Sequence, residues 1–359
     1  MLLQLFLLLQ LVLAVEHNFT STNELRQFLS SLNDTSEVVV NKSYHANNAN
    51  ATFIVLCRND DLYTLLETID NVQHRFNDQY NYDYTLLNDV PFDKDLIYLV
   101  SCLIPGGQIN FGTIDSDHWG YPDFIDVNKA RYIHSLASYP YGDSESYRHM
   151  CRFYSGFFYK HPLVAKYRYY WRFEPGVKLS CTIDYDVFKF MIENDKKFGF
   201  TISLFEYRET IPSLWDYYKK YIDMKKIDAN NLPLIDMIQN DDIYQLYNLC
   251  HFWSNFEIGD LSIYDDKYDD FFNFLDSTGG FYYERWGDAP VHTLGVVLFL
   301  QKSDIHWFND FGYFHQPYLQ CPQQDDIYIN RKCTCDPNED FTDSMLSCTP
   351  HFLDVLRRN

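Results

Sequence analysis

The sequence is poor in positive charge: 29 Lys and Arg stand against 50 Asp and Glu in 359 residues, a formal net charge of −21. A phosphate backbone is held by clustered Lys and Arg, so nucleic acid is excluded as a partner. GxGxxG and P-loop patterns are also missing, which removes dinucleotide binding and P-loop phosphate chemistry. No GxSxG elbow, HExxH pair or kinase signature occurs, and no repeat recurs at a period of roughly 20 to 50 residues. What is present is ordinary globular material, 46% hydrophobic and 22% charged, with one excess. The 30 Tyr, 29 Phe and 6 Trp make 18% of the chain. That abundance suits either a surface that stacks on sugar rings or a core packed with aromatics.

Residues 2–15, LLQLFLLLQLVLAV, are apolar apart from Gln4 and Gln10 and lack a basic flank. As a helix they reach roughly 21 Å, short of the ~30 Å hydrocarbon core. They read as a cleaved signal peptide with Ala14 at its last position and Val12 two before it, or as a short signal-anchor, and either places the rest in the secretory lumen. Sequons at Asn18, Asn33, Asn41 and Asn50 mark residues 16–50 as a solvated stem. Of nine cysteines, four lie within 321–348, where Cys333-Thr-Cys335 is too tight for a zinc knuckle. The expectation is a disulfide-stapled C-terminal segment with at least one thiol left over.

The folded region, 51–359, opens on an apolar strand in ATFIVLCRNDD (51–61). Leu62, Leu65, Leu66, Ile69, Val72 and Phe76 then follow at helical spacing, and YDYTLLND (82–89) supplies a second strand. This βαβ order predicts a parallel sheet in an α/β domain, with ligands at the carboxyl ends of its strands, next to Arg58, Asn59 and Asp89. Further strands are expected at 95–104, 167–173 and 197–207, and helices at 186–194 and 212–226.

Four segments carry the chemistry-bearing side chains. In YYWRFEPGVKL an aromatic strand ends at Glu174-Pro175-Gly176, where an acidic group could hold a cation that bridges two phosphates, or could simply be a solvated loop carboxylate. YNLCHFWSNFEIGDL sets Glu257 among Phe252, Trp253 and Phe256, as a backbone cap or as a stabiliser of an oxocarbenium-like centre. GGFYYERWGDAPVHT gathers Glu284, Arg285, Asp288 and His292, with Glu284 and Arg285 as a possible ion pair. GYFHQP places His315 in an aromatic loop, as a packed residue or as a metal ligand.

Together with SYRHMCRFYSGFFYKHPL and FGFTISLFEYRETIPSLWD, in this order over about residues 51 to 351, these segments resemble the fungal-type Golgi α-1,2-mannosyltransferase family, glycosyltransferase family 15. The resemblance implies a GT-A (Rossmann-like) fold: one large α/β domain around a mixed, mostly parallel sheet. It implies retaining transfer of mannose from GDP-mannose to mannosylated O- or N-linked glycans of glycoproteins, with Mn2+, in the Golgi. On this resemblance Glu174 and His315 are metal ligands, and Glu257 is a nucleophile or a charge stabiliser. Tyr147 is a donor-site tyrosine with a catalytic part, and Arg58, Asp89, Arg172, Trp253 and Asp288 contact donor or acceptor. The family motif reads E-P-D where this chain has Gly176, so the alternative is a weak or inactive glycan- or nucleotide-binding protein.

Overall fold

The computed structural model describes residues 17–19, 21–42, 49–240 and 244–358. The expected signal segment, 1–15, lies outside them. Its centre is a nine-stranded sheet in the order His17–Asn18, Glu37–Asn41, Gln108–Thr113, Asp83–Asn88, Ala51–Leu56, Tyr169–Phe173, Glu257–Asp260, Phe198–Phe200, Ile305–Trp307. Five of its eight neighbouring pairs are parallel. The expected βαβ unit is there: Ala51–Leu56 and Asp83–Asn88 run parallel, joined through the helix Leu62–Arg75, which buries Leu65, Ile69 and Val72. A strand buried on both faces reads as a continuous apolar run, which is why this unit was legible.

Three expectations are corrected. DLIYLVSCLI is a helix, Lys94–Leu103, and not a strand: Leu96, Ile97, Val100 and Ser101 are buried on one face. A short apolar run cannot be told from a helix by periodicity, but the parallel step from Asp83–Asn88 to Gln108–Thr113 needs such a crossover. The segment 197–207 splits: Phe198–Phe200 stays in the main sheet, while Ser203–Phe205 pairs with Cys250–Phe252 in a sheet of two strands. Residues 16–50 are not simply a solvated stem, since Thr22–Ser31 is a helix burying Leu25 and Leu29, and Glu37–Asn41 pairs antiparallel with Gln108–Thr113. The run EVVVN had the apolar content of a strand that the sequons drew attention away from.

The aromatic excess goes largely to the core. Trp171, Trp286, Tyr82, Tyr84, Tyr154 and Tyr170 are all buried, and Phe53 alone packs at ring-centroid distances of 4.7 Å on Tyr84 and 5.4 Å on Trp171. The C-terminal segment is stapled as expected, by Cys321–Cys335 internally and by Cys181–Cys333 and Cys250–Cys348 to the body of the domain. Cys57, Cys102 and Cys151 remain thiols.

Candidate active site

Two cavities meet over the carboxyl ends of the central strands. The smaller, about 280 Å³, is lined by Arg58, Asp61, Asn88, Asp89, Trp119 and Ser146, among others. The larger, about 640 Å³, is lined by Arg172, Glu174, Glu206, His251, Trp253, Ser254, Arg285, Asp288 and His315, and shares Tyr141, Tyr147 and Met150 with the first. Tyr147 therefore stands where the two join. Its ring stacks on Tyr141 at 4.6 Å and takes the Arg285 guanidinium at 5.0 Å on its face.

The smaller cavity follows from the parallel topology. Arg58 and Asp89 come just after two adjacent parallel strands, and Arg58 is held by Ser146 Oγ at 2.6 Å. The buried Asn88 side chain offers an Nδ2 donor with no partner among the described residues. An unpaired buried donor costs about 1–3 kcal/mol unless a ligand accepts from it.

The larger cavity is organised by Arg172, at the end of the strand Tyr169–Phe173 and buried on every side. Its guanidinium lies 3.4 Å from the Tyr154 ring centroid, donates to Asp288 Oδ2 at 2.5 Å through one nitrogen and to Glu174 Oε1 at 2.8 Å through another. Asp288 opens the helix Asp288–Phe299, where the helix dipole favours an anion, and also accepts from Ser254 Oγ at 2.7 Å. Burial pushes the Asp288 carboxyl up, but Arg172 outweighs it and holds the group below the usual range. Glu174 behaves alike: burial raises it, and His315 with Arg172 bring it down, so it is a carboxylate.

Glu174 Oε2 and His315 Nε2 stand 3.6 Å apart at the cavity wall. His315 Nδ1 donates to the Gln316 carbonyl at 3.0 Å, a bond that orients the ring with Nε2 toward the carboxylate. An imidazole nitrogen, a carboxylate oxygen and oxygens from a diphosphate form a donor set that suits Mn2+. Among the described residues no group of three or more His, Cys, Asp or Glu gathers as a complete protein metal site. The pair therefore fits a cation whose remaining ligands come from substrate and water.

Of the residues singled out in the sequence, Arg58, Asp89, Tyr147, Arg172, Glu174, Trp253, Asp288 and His315 line this joint cleft. Glu257 does not. It lies opposite Arg172 in the antiparallel pair of strands, only 1% exposed, under the floor. There it accepts from Tyr170 and from Tyr264 at 3.2 Å, and faces His292 Nδ1 at 2.9 Å. Burial would lower the His292 pKa, but Glu257 overrides it and raises it above the ordinary value. Glu284 and Arg285 are not a pair: Glu284 takes Ser213 Oγ at 2.6 Å and Trp286 Nε1 at 2.6 Å, while Arg285 lies 3.3 Å from Glu206. Glu206 and His251 are cleft residues that sequence reasoning missed. Both sit in strongly aromatic surroundings, and nothing local set them apart from packed residues.

Gly176 has φ +98°, a backbone region open to glycine, and a Cβ there would meet only Thr64 Cγ2 at 3.7 Å. Gly176 lines neither cavity. The position therefore has room for a side chain, and Glu174 and His315, not residue 176, line the cleft.

A sheet with strand-end carboxylate and imidazole, beside a pocket that a nucleotide could fill, defines a glycosyltransferase of the GT-A class. The model of the glycolipid 2-alpha-mannosyltransferase family matches residues 13–357, and the chain belongs to that family. It is 57% identical to a probable mannosyltransferase of Candida albicans, over 95% of this chain and 89% of that protein. It is 49% identical to an alpha-1,2 mannosyltransferase of Saccharomyces cerevisiae, over 85% and 78%. Core-mannan synthase A from Aspergillus fumigatus, solved in a Mn/GDP form, superposes with a TM-score of 0.81 at 34% identity, over 92% of this chain and 90% of that one.

Proposed function

We propose that the protein transfers mannose from GDP-mannose to a mannose hydroxyl of a glycoprotein glycan, forming an α-1,2 linkage with retention, and does so with Mn2+. The observation that carries this reading is the Glu174–His315 pair on the wall of the larger cavity, which opens beside the smaller one, supported by relatives described as alpha-1,2 mannosyltransferases and by a neighbour holding Mn and GDP. In this assignment Arg58, Asn88 and Asp89 hold the nucleotide in the smaller cavity. Bound to Glu174 and His315, Mn2+ would neutralise the diphosphate and stabilise the departing GDP.

The rest falls to the chain's own side chains. Arg172 fixes Glu174 and Asp288 relative to one another, so ligand and sugar-contacting group are set by one rigid cation. Asp288 and Trp253 orient sugar in the larger cavity, and Tyr147 closes the junction. Glu257 supports the same site from below, paired with His292 under the floor and out of the cleft. Its burial favours attack by the acceptor on the face from which GDP leaves, with the departing phosphate taking the proton, over a covalent mannosyl-enzyme.

The three disulfides favour the secretory lumen as the compartment. We assign the protein to the Golgi there, retained by its N-terminal apolar segment as a type II anchor or released by its cleavage. Among the described residues no helix is long and apolar enough to cross a membrane. The direct test of the activity is transfer from GDP-mannose to methyl α-mannoside, with Mn2+ and with EDTA. Disaccharide formed only with the metal is expected, and GDP binding without transfer would instead favour the inactive reading.

A further inference from the structure

A third cavity, about 320 Å³, lies outside the site just described. Trp307, Gln320, Gln323, Asp340, Asp343 and Arg357 are among its lining residues. Its most telling atom is Gln320 Oε1. The side chain is 2% exposed, its Nε2 donates to the Asn309 carbonyl at 2.8 Å, and that bond fixes which way the amide faces. Oε1 is left with no partner among the described residues, a buried acceptor on a residue that lines the cavity. An acceptor left so is satisfied by a ligand that brings a donor.

The surroundings say what kind. Two carboxylates, Asp340 and Asp343, oppose an anion. Asp340 is already used by its own chain, taking Cys321 N at 2.8 Å, Thr342 Oγ1 at 3.2 Å and Thr342 N at 3.2 Å, so it is poorly placed to ligate a cation. Trp307 is only half-buried, and its indole N–H is tied to the Thr201 carbonyl at 2.9 Å, which holds the ring in place. A fixed indole with a rim of amide, carboxylate and guanidinium groups suits a neutral, hydroxyl-rich molecule with apolar ring faces, that is, a sugar.

Position points the same way. Tyr318 lines the large cavity and Gln320 the third, two residues on, roughly 7 Å apart at strand rise. Leu346 and Asp343 repeat the relation on a second segment. The wall between is stiff: Tyr318 and Phe341 pack ring on ring at 4.0 Å, and Cys321 is bonded to Cys335.

We infer that the third cavity is a second carbohydrate subsite, taking a mannose of the acceptor glycan remote from the hydroxyl that reacts. The inference rests on the mannosyltransferase reading above for the identity of the sugar. Asp343→Ala and Arg357→Ala change exposed side chains and leave the core intact. Each is expected to raise KM for α-1,2-mannotetraose about tenfold, the effect of losing one polar contact, with kcat and the KM for methyl α-mannoside unchanged. Equal KM values for the tetrasaccharide in wild type and both variants, or an equal loss on both acceptors, would overturn it. Calorimetric titration of mannotetraose into the Mn2+- and GDP-loaded protein decides the matter without turnover. Weakened binding in Asp343→Ala supports the subsite even if wild type transfers nothing, which would count against the mannosyltransferase reading alone; unchanged binding refutes the subsite.

Discussion

The two halves of the sheet are held together differently. Residues 51–113 form a parallel scaffold in which successive elements pack on one another, strand, helix, strand, helix, strand, and Arg58 and Asp89 reach the cleft because the strands end there. From Tyr169 onward the structure depends on ties between distant parts of the chain. Arg172 and Asp288 are 116 residues apart, and the disulfides Cys181–Cys333 and Cys250–Cys348 close separations of 152 and 98 residues. On the proposed function, the first half positions the nucleotide by topology, and the second positions the metal and sugars by charge. Buried nitrogens with no partner among the described residues, His251 Nδ1 and Arg285 Nε, belong to residues that line the second half's cavity.

The comparison breaks most directly at Arg172. Arg172→Ala leaves the buried Asp288 without its cation and is expected to cost about 3–5 kcal/mol and to abolish transfer. Denaturant unfolding and the methyl α-mannoside assay read the two effects, and a loss below about 1 kcal/mol would mean the ion pair does not organise this half. Next in size, removing the long-range staple with Cys250→Ser and Cys348→Ser should cost about 2–4 kcal/mol by thermal or denaturant unfolding. Titration of GDP into the folded form of the same variant should give an unchanged affinity, since neither cysteine lines either cavity.

A gentler effect is pH-dependent. The His292 pKa is raised in the folded state above its ordinary 6.5, so its pairing with Glu257 stabilises fully below about pH 6.5. That stability is lost as pH rises through the raised folded value. Glu257→Gln should flatten this fall in stability with pH, and an unaltered slope would remove the charged pair from the account. Smallest of all, Gly176→Asp puts a side chain at positive φ and should cost about 1 kcal/mol with transfer retained.

The same division governs what the sequence revealed. The βαβ start was legible because burial on both faces leaves a continuous apolar strand, and the helix between carries a three-four spacing. The helix Lys94–Leu103 was misread because the nearly unbroken apolar run 96–104, interrupted only at Ser101, carries no period that separates helix from strand. Glu174, Asp288 and His315 were found through motifs of the family, and their mutual distances rest on contacts across more than a hundred residues that no local pattern records. Glu257 illustrates the limit: its aromatic neighbours were visible, but its burial beneath the cleft depends on Tyr170 and His292 arriving from elsewhere in the chain.

The central claim is that Glu174 and His315 hold the metal that receives the nucleotide diphosphate. It is tested most directly by titrating GDP into wild type, Glu174→Gln and His315→Ala, each with and without Mn2+. Mn2+ should tighten GDP binding in wild type and have little effect on it in either variant, whereas equal tightening in all three would place the metal elsewhere and contradict the account.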